Sequence, residues 1–184
     1  MLINNKIYVL RHFKTLYNLD NRISGQSINL SIIERQEILC EITFDHIFCS
    51  TAKRCKQTIS CLPKNASQQV TYLDEILERN MGLLEGQPRL AAKHLYPDLF
   101  INDKFNVFSQ PPLGESFEAF KKRAQSFLEC CSKNMQGKIL CCSHNQFIKM
   151  CYFLLNDIPI TADRWNRVKY PCGKIVDINC PECT

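Results

Sequence analysis

The sequence has no stretch of about 18 consecutive apolar residues, so no segment reads as a membrane-spanning helix. It also lacks any run of five or more lysines and arginines. Its 23 basic and 18 acidic residues are scattered and leave a net charge of +5, which is not the footprint of a nucleic-acid binder. The opening MLINNKIYVLRH is not a secretory leader. Its apolar stretch is short, is split by Asn4, Asn5 and Lys6, and runs into Arg11 and His12. No repeat, low-complexity tract or linker stands out. These absences lead us to expect one domain over residues 1–184 in a cytoplasmic protein, monomeric or homodimeric, with no nucleic-acid or membrane partner. A chain of 184 residues can bury a sizeable core.

Twelve cysteines are a high count. Cys130/Cys131 and Cys141/Cys142 are adjacent pairs, and several others sit inside apolar runs, so they read as buried reduced thiols acting as small hydrophobes. Cys180 and Cys183 have CxxC spacing, but one such pair supplies two ligands where a structural zinc site wants four. No metal or other cofactor is expected.

Hydrophobic patterning alternates between short β-rich runs and longer helix-period runs. Strands are expected at Lys6–Leu10, His46–Cys49, Gln69–Tyr72, Lys138–Cys142 and Lys174–Asn179. Helices are expected at Ala52–Cys61, Phe117–Met135 and Phe147–Leu155. Another is expected from Ser31 to about Cys40, with Ser31 and Glu34 as a capping box. Ser50 and Ser116 read as helix caps. The stretch from about 79 to 113, rich in Gly and Pro, reads as loops and short helices capping one end of the domain. The expected fold class is α/β: a three-layer α/β/α arrangement with a mostly parallel central sheet and a short irregular cap over the C-terminal ends of the strands.

Three clusters of chemistry-bearing residues follow expected strands: Arg11 and His12, Ser50 to Arg54, and Ser143 and His144. In parallel α/β sheets ligands bind beyond the carboxyl ends of the strands, so these residues can share one crevice. Two imidazoles and two guanidiniums suit phosphoryl transfer, where catalysis is mostly positioning and charge stabilisation. Arginine's planar fork binds phosphate oxygens in pairs. One neutral imidazole nitrogen can attack in line if a backbone carbonyl holds the other, and a second imidazole can donate to the phosphoryl oxygens.

Six segments extend this pattern in order: LRHFKTLYN (10–18), GQSINLS (25–31), FDHIFCSTAKRCKQT (44–58), LERNMGLLEG (77–86), PPLGESFEAFKKR (111–123) and ILCCSHNQ (139–146). Together they resemble the motifs of the histidine phosphatase, or phosphoglycerate mutase-like, superfamily. The resemblance implies a metal-independent phosphatase acting on a small phosphorylated metabolite. It implies that His12 is the nucleophile that becomes phosphohistidine. Arg11, Arg54 and His144 would bind the phosphoryl oxygens, with Asn18 as a lesser contact or simply a turn residue. Glu78 would be the general acid, its spacing to Gly82, Glu85 and Gly86 favouring it over Glu75. The backbone N–H of Asn145, at an expected helix start, could add another donor.

The chain departs from the family motif at three places: Phe13 stands where Gly is usual, Lys14 where Glu is usual, and Asn145 and Gln146 replace the usual Gly after the second histidine. Phe13 could narrow the pocket, stack on an aromatic leaving group or mark loss of turnover. Lys14 would favour a more anionic substrate. The short span from Glu78 to Gly114 resembles the α-ribazole phosphatase-like branch more than the longer mutases. A phosphomutase and a non-catalytic phospholigand-binding module are the alternatives. Leu83, Leu84, Leu95, Tyr96, Phe100, Phe105 and Phe108 either line a leaving-group pocket or pack the cap onto the core.

Overall fold

The computed structural model describes residues 5–63 and 69–183; residues 1–4 of the leader reading and the Cys183 side chain fall outside it. In chain order the elements are β1 (Lys6–Arg11), α1 (Leu16–Leu19), β2 (His46–Ser50), α2 (Lys53–Ile59), β3 (Val70–Leu73), α3 (Arg89–Leu95), β4 (Phe100–Ile101) and β5 (Lys104–Phe105). There follow α4 (Phe117–Asn134), β6 (Lys138–Ser143), α5 (Asn145–Leu155), α6 (Ala162–Arg167), β7 (Val168–Lys169), β8 (Ile175–Asp177) and β9 (Glu182–Cys183).

Five strands form the central sheet in the order β3-β2-β6-β1-β8. The first four run parallel, and β8 closes the edge antiparallel to β1. Alternating side chains explain why both faces are covered. Ile7, Val9, Phe48, Ile139 and Cys141 point toward α4 and α5, where they meet Phe120, Phe127, Leu128 and Phe147. Tyr8, Leu10, Ile47, Cys49, Leu140 and Cys142 point the other way, toward Cys55 and Ile59 of α2 and toward Ile38 and Phe44. The expected mostly parallel α/β architecture is therefore what the chain adopts. Parallel register sets Arg11 beside Ser143 and Cys49 beside Cys142, so the residues just after β1, β6 and β2 emerge side by side.

One expected element is absent. Residues 31–40 form no helix, and Ser31 caps nothing. The backbone bonds elsewhere: Ile33 N–H to the Lys14 carbonyl, Ile38 N–H to the Cys61 carbonyl, and Ile32 bridged to Thr15. Ile38 is buried while Leu39 is 90% exposed, so no helical stripe forms. Its β-branched isoleucines are weak helix formers, and docking by single anchors wins. The last strand is shorter than expected, three residues rather than six.

Between β3 and α4 the chain lays α3 and the β4–β5 hairpin over the strand ends. Leu84 and Ala92 are buried with Ile23 and Met81, and Tyr96, Phe100 and Phe105 pack against them. Leu83, Leu95 and Phe108 are exposed. Most of the apolar residues expected in this stretch thus hold it together or face solvent.

Candidate active site

His12 directly follows β1, and its backbone N–H bonds the Ser143 carbonyl at 3.1 Å, which ties it to β6. The ring Nδ1–H donates to the Phe13 carbonyl at 2.7 Å. That bond fixes the tautomer and leaves Nε2 with a free lone pair. Burial, then the charge of Arg54, then that of Arg11 hold the His12 pKa well below the usual histidine value, although the Phe13 carbonyl opposes them. The ring is neutral at physiological pH, and a neutral Nε2 can act as a nucleophile.

The His144 ring lies edge-on to it, with centroids 5.2 Å apart. Arg54 Nε donates to His144 Nδ1 at 3.2 Å, so the proton of the neutral ring is on Nε2, which faces Ser50 Oγ at 2.9 Å. Burial, Arg54 and His12 lower the His144 pKa well below its usual value. Both ring nitrogens are thus committed, and contact with a phosphoryl oxygen requires one of these bonds to be exchanged. Arg54 is likewise engaged, donating from Nη2 to the Gly25 carbonyl at 2.9 Å. Ser50 is not the expected cap. The N-cap position of α2 is Ala52, and Ser50 is fully buried against His144. Ser116 does cap its helix, accepting from Ala119 N–H.

A cleft of about 240 Å³ is lined by Arg11, Asn18, Glu78 and Asn145, among others, while His12, Arg54 and His144 lie behind that lining. Arg11 Nη1 donates to the Tyr170 carbonyl, while Arg11 Nε is buried without a partner. Asn145, the first residue of α5, also has a buried unpartnered Oδ1. Such orphaned groups are rare in folded proteins, and here both belong to residues that line the cleft. Asn18 Oδ1 accepts from Thr15 N–H at 2.9 Å, so Asn18 is the capping-box partner in the first turn of α1 and also lines the cleft.

Glu78 is 7% exposed and accepts from the backbone N–H groups of Arg79, Gln146 and Phe147. Burial outweighs these bonds and the nearby arginines and raises its pKa above the ordinary carboxylate value. A buried carboxyl whose pKa is raised is suited to general acid–base work. Glu75 is exposed and offers only its carbonyl, to Arg123.

Phe13 is not in the left-handed backbone region, and its ring packs against Gly173, where an added Cβ would meet it at 2.0 Å. It does not line the cleft, nor does Lys14, which is exposed.

Several supporting residues escape a reading of motifs. Arg123 of α4 donates to the carbonyls of Glu75, Leu77 and Glu78 and pairs with Glu115 at 2.8 Å. It pins the segment that presents Glu78. Arg79 does the same from below, donating to the carbonyls of Val107, Ser109 and Glu115; burial brings its pKa down to about 10. Lys149 is 5% exposed, lines the cleft and lies 4.9 Å from the Trp165 ring centroid. Its signal was present in the sequence: it is the one charged residue in the apolar α5. Among the described residues no group of three or more His, Cys, Asp or Glu is placed to hold a metal. Among them, too, no helix is long and apolar enough to cross a membrane.

The adenosylcobalamin/alpha-ribazole phosphatase of Escherichia coli (strain K12) is 25% identical over 190 residues, covering 95% of this chain and 90% of that protein. The fructose-2,6-bisphosphatase TIGAR of Mus musculus is 28% identical over 142 residues, covering 71% of this chain and 52% of that protein. The crystal structure of the alpha-ribazole phosphatase from Shigella flexneri has the same fold, with a TM-score of 0.69 at 19% identity over 91% of this chain and 87% of that one. The model of the histidine phosphatase superfamily (branch 1) matches residues 7–181. With paired histidines after neighbouring parallel strands and a family match over almost its whole length, the chain belongs to the histidine phosphatase superfamily.

Proposed function

We propose that the protein is a phosphatase that hydrolyses a small phosphomonoester through a phosphohistidine on His12. The observation that carries this reading is the His12 ring, neutral and buried, with Nδ1 held by the Phe13 carbonyl and Nε2 free. In the first step Nε2 forms an N–P bond as the ester P–O bond breaks. Glu78 gives its proton to the leaving oxygen. Arg11 and, after exchange of their present bonds, Arg54 and His144 take the charge on the equatorial oxygens, and Asn145 N–H supplements them. In the second step Glu78 accepts a proton from water as the water oxygen attacks phosphorus. Phosphate leaves, and the His12 lone pair is restored. No step calls for a metal, because the fixed positive groups carry the charge stabilisation.

Phe13 does not argue against turnover, because its carbonyl orients His12 and its ring is accommodated by Gly173. The relatives act on different phosphoesters, so α-ribazole 5′-phosphate is one probe among several.

The test is hydrolysis of an aryl phosphate in EDTA, paired with His12→Ala. The expected result is chelator-insensitive turnover, loss of activity in the variant, and acid-labile, base-stable phosphate on the quenched native protein. Turnover that survives in His12→Ala overturns the mechanism.

A further inference from the structure

The cleft lined by Arg11 and Glu78 holds more positive charge than one phosphoryl group needs. Five cations line it: Arg11, Arg22, Arg89, Lys104 and Lys149. They come from the end of β1, the loop after α1, the start of α3, strand β5 and the middle of α5. The one lining carboxyl is Glu78. Among the described residues none of the five forms an ion pair; the four ion pairs present all involve other cations. Arg22 donates to the Gly86 carbonyl and Arg89 to Asn21 Oδ1, so both are held in place by neutral partners.

Lys149 is the sharpest part of this pattern. It is 5% exposed, and its ammonium has an aromatic face as its partner rather than an anion. Burial first, then Arg11, Lys104 and Lys169, bring its pKa down to about 7, with Glu78 opposing. A buried cation facing other cations is costly unless an anion completes the site. A phosphoryl dianion is already matched by Arg11 and Arg54, and Glu78 supplies one further counter-charge, so most of the charge on Arg22, Arg89, Lys104 and Lys149 is unmatched. An uncharged or cationic leaving group would supply none.

Building on the phosphatase reading, we infer that the substrate carries a second anionic group, a carboxylate or a second phosphate, on its leaving portion, and that Arg22, Arg89, Lys104 and Lys149 form the subsite that receives it. Asn145 and Asn166, which line the same cleft, add neutral polar contacts.

The test uses matched pairs that differ in that one group. The carboxylate arm compares 3-phosphoglycerate with glycerol 3-phosphate. The phosphate arm compares propane-1,3-diol bisphosphate with 3-hydroxypropyl phosphate. In the native protein kcat/KM should favour the doubly anionic member by about tenfold or more, and the preference should shrink with added salt. The arm with the larger preference identifies the second group. In Arg89→Met and Lys104→Met, each on the cap surface, the preference should fall toward one. The same pairs are titrated by calorimetry into His12→Ala protein, where the preference should reappear as a ratio of Kd values. Binding preference without turnover in the native protein would retain the subsite and overturn the phosphatase reading. Turnover without preference in either arm, or a preference unmoved in both variants, overturns the subsite.

Discussion

Two buried side chains do most to define the site, and each reads differently once its partners are known. His12 gains its nucleophilic form from the neighbouring carbonyl of Phe13, so the backbone supplies the orienting group and the identity of residue 13 matters little to it. Lys149 is the opposite case: its conformation leaves a cation among cations in a nearly closed place. Lys149→Met should therefore stabilise the unliganded protein by about 1–2 kcal/mol at pH 7, measured by urea unfolding. The native lysine binds fewer protons than the unfolded one between about 7 and its ordinary 10.5. Its folded-state penalty thus fades as pH rises through that window, and the gain from methionine should fade with it. A gain that persists unchanged at pH 10 would show that packing rather than charge is responsible. Single residues were the part of the site most legible in the sequence. Arg11, His12, Arg54, Glu78 and His144 stand at motif positions, and the fold brings their neighbourhoods together. Arg123 was not legible as a site residue, because what it does depends on partners many residues away, whereas Lys149 left a signal as the one charge in apolar α5.

At the level of elements, the sheet was readable because β1, β2 and β6 are short apolar runs buried on both faces, each followed by polar chemistry. Helices α4 and α5 were readable from their period. The stretch over residues 31–40 misled because Ser31 and Glu34 read as a capping box, yet the backbone finds its partners in Lys14 and Cys61. Local pattern cannot reveal such long-range bonds. The segment that presents Glu78 turns at Gly82, whose φ is +51 and whose added Cβ would lie 2.1 Å from the Pro112 carbonyl. Leu83 N–H bonds that same carbonyl at 3.0 Å. Gly82→Ala should cost about 2 kcal/mol or more, since left-handed strain and a backbone clash add. It should also lower kcat by displacing Glu78. Thermal unfolding together with aryl phosphate turnover checks this; an unchanged kcat at lower stability would mean that the turn supports the cap alone.

For the molecule as a whole, burying two neutral histidines links stability to pH. Both have folded-state pKa values below the ordinary 6.5, so the native state binds fewer protons than the unfolded chain beneath that pH. Their contribution is fully present above pH 6.5 and is lost as pH falls toward their depressed values. Each adds a slope of up to about 1.4 kcal/mol per pH unit in that window. Glu78, with its raised pKa, acts in the opposite sense above pH 4.5. Denaturant unfolding between pH 5 and 7 should show stability falling with acid, and His144→Gln should flatten the slope. An equally steep fall in that variant would place the acid sensitivity elsewhere.

The pairing of β8 with β1 has a bearing on how the protein is made. Leu10 lies opposite Ile175, Gly173 N–H bonds the Arg11 carbonyl at 2.8 Å, and Arg11 itself reaches the Tyr170 carbonyl. The strand that delivers the nucleophile is thus translated early but seated late. A nascent polypeptide still lacking residues 170–178 on the ribosome carries His12 without its lateral support. It should remain inert toward phosphoesters until that segment clears the exit tunnel.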